Sequence, residues 1–380
     1  MTKKPLLGIL IVCVLALLSL FGRSSIAASA LAAATATPPM TPTPAESSDL
    51  AQDIDTMLAK LADDGLFDGV VLVAQEGEIL LGKGYGLANV EWGVPHTLQS
   101  KFRIASVTKS FVAIAVMQLA EDGELSVDDS ICLYIKDCPE AWQPVTLHHL
   151  LSHTSGIRDL ESIHEYSSHM RDPISFKNQV DLLREYPLHF TPGSQWQYAN
   201  VNYMLLGEVI KQVTGAPFTK YLGEHITQPL GMTDTGMDEN RKVLEGRATG
   251  YASATVLAEY IDLLRVGTAG SMYSTAEDLL RLDQALYRDD LLSAQAKEQM
   301  FTPYGDVVFP GYDGGYGYGW YIADIAGHKR VDNAGVLNGF KTDFRRYPED
   351  KITVIVMINR DDQDPFTVGD SIEKLIFAAR

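Results

Sequence analysis

Ser106 and Lys109, three residues apart in Ala105-Ser106-Val107-Thr108-Lys109-Ser110, have the types and spacing of a nucleophile with its base. An extended segment, 100–104, runs into them, and a strongly apolar helical run follows (Phe111, Val112, Ile114, Ala115, Val116, Leu119). On a helix, positions i and i+3 are neighbours on one face, so the hydroxyl and the amine would lie side by side at the helix start. An unassisted serine is a poor nucleophile; a lysine desolvated at a buried helix N-terminus can have its pKa drawn down far enough to take the serine proton. The free N–H groups of the helix start favour negative charge, which suits an alkoxide and an oxyanion forming on the Ser106 amide. The same spacing occurs on many solvated helix starts, so its weight depends on the rest of the chain.

The elements that must hold this pair come from both ends of the sequence. Residues 54–66 have helical spacing. Val70 to Ala74 and Ile79 to Gly82 flank a polar Gln75-Glu76-Gly77-Glu78 turn and read as a hairpin. Residues 317–325, 339–347 and 353–358 supply three more strand-like segments, and 365–379 reads as a closing helix. This order predicts an α/β protein whose antiparallel sheet is built from both chain ends and flanked by helices, with a mostly helical insertion over roughly 105–300. Ligand clefts form at such seams.

With 380 residues, 46% hydrophobic and no visible repeat, the chain can bury one or two substantial cores. Its formal charge of −18 argues against nucleic acid or anionic lipid as partners and reads as a solubility charge. Residues 1–30 carry Lys3 and Lys4, an apolar run and an Ala28-Ser29-Ala30 cleavage pattern, as a secretory signal does; an uncleaved N-terminal anchor is the competing reading. Residues 31–49, rich in Pro and Thr, read as a tether, and 50–380 as the folded domain. Cys13 falls in the leader. That leaves Cys132 and Cys138, which permit one local disulfide in an exported chain, with two free thiols as the alternative.

Several segments now fall into a familiar order. Phe102-Arg103-Ile104-Ala105-Ser106-Val107-Thr108-Lys109 is followed by Leu119-Ala120-Glu121-Asp122-Gly123-Glu124-Leu125, and then by Leu150-Leu151-Ser152-His153-Thr154-Ser155-Gly156. After these come Phe190-Thr191-Pro192-Gly193-Ser194-Gln195-Trp196-Gln197-Tyr198-Ala199-Asn200, Ala269-Gly270-Ser271-Met272-Tyr273-Ser274 and Tyr316-Gly317-Tyr318-Gly319-Trp320. Over about residues 50–380 the chain resembles the serine β-lactamase-like family, which includes class C β-lactamases, penicillin-binding proteins with D-alanyl-D-alanine carboxypeptidase activity, D-aminopeptidases and related esterases. The resemblance implies an acyl-enzyme hydrolase with no cofactor, acting on a small-molecule or peptide-like ester, amide or β-lactam. The alternative within the fold is a catalytically impaired sensor.

The resemblance makes Tyr198 and Asn200 the second motif. Flanking one residue after a Pro-Gly turn, both can point into one cleft. A tyrosine beside a cation is drawn toward phenolate and can act as base or return a proton to the leaving group, and Asn200 can hold Lys109 and a substrate carbonyl. The third motif reads Asn333-Ala334-Gly335-Val336, followed by Gly339-Phe340. Asn333 stands where the family has a cation. On this resemblance Asn333 contacts substrate through a neutral hydrogen bond, Gly335 lets substrate lie against the strand, and the Val336 amide joins that of Ser106 as the oxyanion hole. The missing charge turns the expectation from carboxylate-bearing substrates toward neutral esters or amides. Lys341-Thr342-Asp343 lies after Gly339-Phe340 and is not the third motif; His328, Lys329 and Arg330 read as a polar turn. His148, His149 and His153 lack acidic or cysteine partners at ligand spacing and read as structural, with no metal site and Gly156 capping a helix end.

Overall fold

The computed structural model of the protein describes residues 49–309 and 312–378, so the expected leader and all of the expected tether but Asp49 lie outside the described residues. Eight strands form one antiparallel sheet: β1 (Gly69–Gln75), β2 (Glu78–Tyr85), β3 (Gly305–Phe309), β4 (Tyr312–Tyr316), β5 (Tyr321–Ile325), β6 (His328–Leu337), β7 (Phe340–Tyr347) and β8 (Ile352–Ile358). Their order across the sheet is β3-β4-β5-β6-β7-β8-β1-β2. The N-terminal hairpin therefore joins the last strand, with Gly69 opposite Ile358 and Gln75 opposite Ile352. This is the sheet expected from the two chain ends.

The central strands are continuous apolar runs because both faces of the sheet are covered. Val71, Val73, Val354 and Val356 face α1 (Asp49–Asp63) and the C-terminal helix (Pro365–Ala378), packing with Ile54, Leu58, Val368 and Ile372. Val70, Leu72, Ile355 and Met357, at the alternate positions, face the inserted part of the chain. At the centre of that part lies α2 (Thr108–Glu121), apolar on every side and buried along most of its length, as befits a helix enclosed all round. It packs with α4 (Asn200–Thr214), which in turn packs with α3 (Leu147–Leu151), while α5 (Ala276–Ala285) lies against β1 and β8.

The insertion is not purely helical. Phe102–Arg103, Met272–Ser274 and Gly236–Met237 form a small three-stranded sheet, and Tyr251–Ser253 pairs with Val256–Leu257. Two- and three-residue strands carry no readable alternation. β3 and β4 were equally hidden, in a glycine-rich stretch without that pattern. The strand expected from residue 317 begins at Tyr321, because the Gly317 N–H donates to the Trp320 carbonyl and Gly319 takes φ +79°, which makes 317–320 a turn. Cys132 and Cys138 are joined as a disulfide.

Candidate active site

A short 3₁₀ turn, Ala105–Val107, leads into α2, so Ser106 stands at the entrance of the helix. The preceding Ala105 takes φ +46°, a left-handed conformation unusual for alanine that costs on the order of 1–3 kcal/mol and is tolerated where the surroundings enforce it. β6 supplies that enforcement. A Cβ on Gly335 would lie 2.2 Å from the Ile104 carbonyl and 3.3 Å from Ala105 Cβ. The close approach that requires glycine here is therefore to the chain bearing Ser106, a correction to the substrate-facing role expected of Gly335. β6 is free on its β5 side beyond Asp332, and the 3₁₀ turn seats against this open end.

Lys109 is fully buried in the first turn of α2, and its Nζ has three oxygen partners: Ser106 Oγ at 3.1 Å, Asn200 Oδ1 at 2.8 Å and the Ala269 carbonyl at 2.8 Å. Burial draws its pKa down from 10.5 to about 7, against the opposing pull of Asp159 and Glu161. The neutral amine has two hydrogens. Asn200 Oδ1 and the Ala269 carbonyl can only accept, so they take both, and the lone pair is left facing Ser106 Oγ.

The Tyr198 hydroxyl lies 2.9 Å from Ser106 Oγ and donates to it. Its pKa is raised well above the ordinary value, chiefly by desolvation in its largely enclosed setting. The Lys109 amine sits 4.8 Å over the face of the tyrosine ring. Burial, rather than the cation, thus governs this phenol and keeps it protonated, which corrects the expectation of a phenolate. Asn200 opens α4; its Oδ1 accepts from Lys109 while its Nδ2 donates to Glu161 Oε1 at 3.0 Å. Glu161 had no signal in the sequence, standing in an irregular stretch with no motif of its own.

The segment carrying Tyr198 rests on the Ser152–Gly156 stretch. The Thr154 carbonyl accepts from Gly193 N–H at 2.8 Å, the Gly156 carbonyl from His189 N–H at 2.8 Å, and the His153 carbonyl from Gln197 N–H at 2.9 Å. Gly156 is required by this contact, since a Cβ would lie 2.3 Å from the Phe190 carbonyl; α3 itself ends at Leu151, so Gly156 is not its cap. His148 Nδ1 bonds Tyr318 Oη at 2.6 Å, and His149 closes a capping box with Thr146.

Asn333 is placed differently from the other motif residues. It is 2% exposed, and its amide donates to Ser110 Oγ at 2.9 Å and to the Gly319 carbonyl at 2.6 Å. Both hydrogens tie β6 to α2 and to the 317–320 turn, so the structure does not bring this side chain to the cleft as a substrate contact. Arg330, expected in a turn with His328 and Lys329, lies within β6 and pairs with Glu373 and Asp332. Lys341 is spent on the carbonyls of Asp361 and Gln363.

Val336, 57% exposed, borders a cleft of about 430 Å³ together with Ser106, Asn200, Glu161, Ile261 and Asp361. The charged groups among its described lining residues are Glu161 and Asp361, both acidic. Its walls come from the 158–190 and 230–268 stretches as well as from β6.

The family model for Beta-lactamase matches residues 54–378. Penicillin-binding protein 4* of Bacillus subtilis is 29% identical over 341 residues, covering 82% of this chain and 72% of that protein. Among solved structures, the octameric penicillin-binding protein homologue from Pyrococcus abyssi is 27% identical with a TM-score of 0.77, over 87% of this chain and 78% of that one. The D-amino acid amidase from Ochrobactrum anthropi SV3, complexed with D-phenylalanine, is 25% identical with a TM-score of 0.76, over 88% of this chain and the whole of that one. A match across nearly the whole described chain, on a fold shared with these proteins, places this protein in the beta-lactamase family.

Proposed function

We propose that this protein is an exported serine hydrolase that works through an acyl-enzyme on an ester or amide whose acyl part is neutral or positively charged. The neutral Lys109 amine takes the Ser106 proton as Oγ attacks the carbonyl carbon, and the amides of Ser106 and Val336 receive the oxyanion. The leaving group departs with a proton passed from Lys109 or through the Tyr198 hydroxyl. Water then attacks the acyl-enzyme by the same route and frees Ser106. No step calls on a cofactor.

The observation that carries this reading is the set of three oxygens around Lys109 Nζ, two of which can only accept, which turns a buried amine into a base aimed at one hydroxyl. The choice of substrate follows from charge. A carboxylate brought into the cleft would meet Glu161 and Asp361, and Asn333 offers it nothing, whereas an ammonium or a neutral acyl group meets no such repulsion. The D-amino acid amidase, to which this chain is similar, is complexed with D-phenylalanine, a ligand that carries an amino group. Export is supported by the leader-like residues 1–30 and by a disulfide of the sort kept in oxidising compartments.

A fluorophosphonate probe tests the reading: it should label Ser106 in the wild type and leave Ser106→Ala unlabelled. That variant should lose hydrolysis while its stability stays within about 1 kcal/mol. Folded wild-type protein that takes no label would overturn the proposal, and a burst on an activated ester with no turnover afterwards would make the protein a sensor instead.

A further inference from the structure

We infer that His153 is a positioning residue for the Tyr198 hydroxyl, gripping the chain on both sides of that tyrosine so that its oxygen is held against Ser106. The inference rests on the hydrolase reading, since it assigns His153 a part in the reaction only through Tyr198.

His153 reaches the tyrosine segment in three ways. Its carbonyl accepts from the Gln197 N–H at 2.9 Å. Its Nδ1 accepts from the Ala199 N–H at 3.3 Å. Its ring packs on the Tyr198 ring with centroids 4.4 Å apart. One buried residue thus fixes the residue before Tyr198, the residue after it and the ring between them. A fourth contact, from Asn202 Nδ2 at 3.1 Å, ties the same nitrogen to the first turn of α4, the helix that Asn200 opens.

The tautomer follows from the donors. A backbone N–H can only donate, so Nδ1 carries no proton and the ring is neutral, with its hydrogen on Nε2. Burial, with the Lys109 charge adding to it, holds its pKa well below 6.5, so the wedge does not charge in the range where Lys109 titrates.

The position is a costly one for a residue that serves packing alone. His153 takes φ +59°, in the left-handed region, and its Nε2 is buried without a hydrogen-bond partner among the described residues. An apolar side chain would avoid the second cost. What a histidine supplies here is a flat ring for Tyr198 and an acceptor at Nδ1 for Ala199, both from one side chain.

Asparagine and phenylalanine separate these two gifts. His153→Asn places an amide oxygen near the Nδ1 position and tolerates a left-handed backbone, whereas His153→Phe keeps a ring and removes the acceptor. Each is to be compared with wild type by kcat and KM on an activated ester, alone and combined with Tyr198→Phe. We expect H153F to lower kcat about thirtyfold with KM within twofold, H153N to stay within about threefold of wild type, and H153F to cost nothing further once Tyr198 is already phenylalanine. A folded H153F with wild-type kcat, or an equal loss in both backgrounds, overturns the inference. If H153F does not fold, His153→Gln, whose oxygen lies one bond too far out, is measured in its place with the same expectations. A wild type without turnover overturns the hydrolase reading and this inference with it; a wild type that turns over and is indifferent to the variants overturns this inference alone.

Discussion

Lys109→Met separates what the buried amine does for the reaction from what it does to the fold. Methionine follows the lysine stem in shape and carries no charge. Folding moves the Lys109 pKa from 10.5 to about 7. Below pH 7 the amine is charged in both states, and the fold carries the whole cost of hiding it, on the order of 5 kcal/mol. Between 7 and 10.5 the unfolded chain still holds a proton that the folded chain has released. The unfolded state therefore binds more protons, and wild-type stability climbs with pH through that window by up to about 1.4 kcal/mol per unit. Lys109→Met has no such group. It also strips the donors from Asn200 Oδ1 and the Ala269 carbonyl, at about 1–3 kcal/mol each, but those losses do not vary with pH. The absolute difference at one pH thus mixes opposing effects, while its slope reports Lys109 alone. Urea unfolding of both proteins should show wild type gaining about 2 kcal/mol on the variant between pH 7 and pH 9, and little between pH 5 and pH 6. Parallel pH profiles would refute a lowered Lys109 pKa and, with it, the neutral amine as base.

The same amine predicts that kcat/KM on a neutral ester rises through an acid limb with an apparent pKa of about 7; a limb near 5, or none, would point to a different base. Glu161→Gln should raise kcat/KM for penicillins relative to neutral esters by about three- to tenfold and lower it for amides bearing an ammonium, measured as competition between substrate pairs; an unchanged ratio would show that Glu161 does not face substrate. Asn333→Ala should cost about 1–3 kcal/mol in chemical denaturation and leave the ratio of penicillin to ester turnover unchanged, because its amide serves Ser110 and the Gly319 carbonyl. A changed ratio with unchanged stability would restore the substrate-binding role that its place in the third motif implied.

How far the sequence reached depended on whether a residue's partner lay within one local pattern. Ser106 and Lys109 meet because helical spacing alone puts them on one face, and Tyr198 and Asn200 were found because their motif is continuous. The sheet from both chain ends was legible in the apolar runs of β1 and β8, which read the same whatever lies between them. What stayed hidden was set by contacts across the fold. Asn333 occupies the position of the family's cation, but its direction depends on Ser110 and on a turn that ends a different strand. Glu161, in the short turn Leu160–Ser162, acquires meaning only when the 158–190 stretch is laid beside α4. His153 reads as part of a helix end because its partners, Gln197 and Ala199, lie far along the chain, beyond the helix Phe176–Leu183. The Tyr198 pKa went astray for a related reason: nearness to a cation could be read from the motif, and the desolvation imposed by its surroundings could not.

The pairing of Gly69 with Ile358 has a bearing on how the protein is made. β1 lies between β2 and β8, and β8 is the last of the described strands. A chain that leaves a ribosome or a translocation channel N-terminus first therefore exposes the apolar β1 hairpin long before its other neighbour exists, and the sheet cannot close until the final segment has emerged. Such late, distant pairing slows folding and lengthens the time during which the hairpin is open to aggregation or to a holding chaperone. If the protein is exported, as proposed, this delay is an advantage, because a chain that cannot complete its sheet stays threadable while it passes.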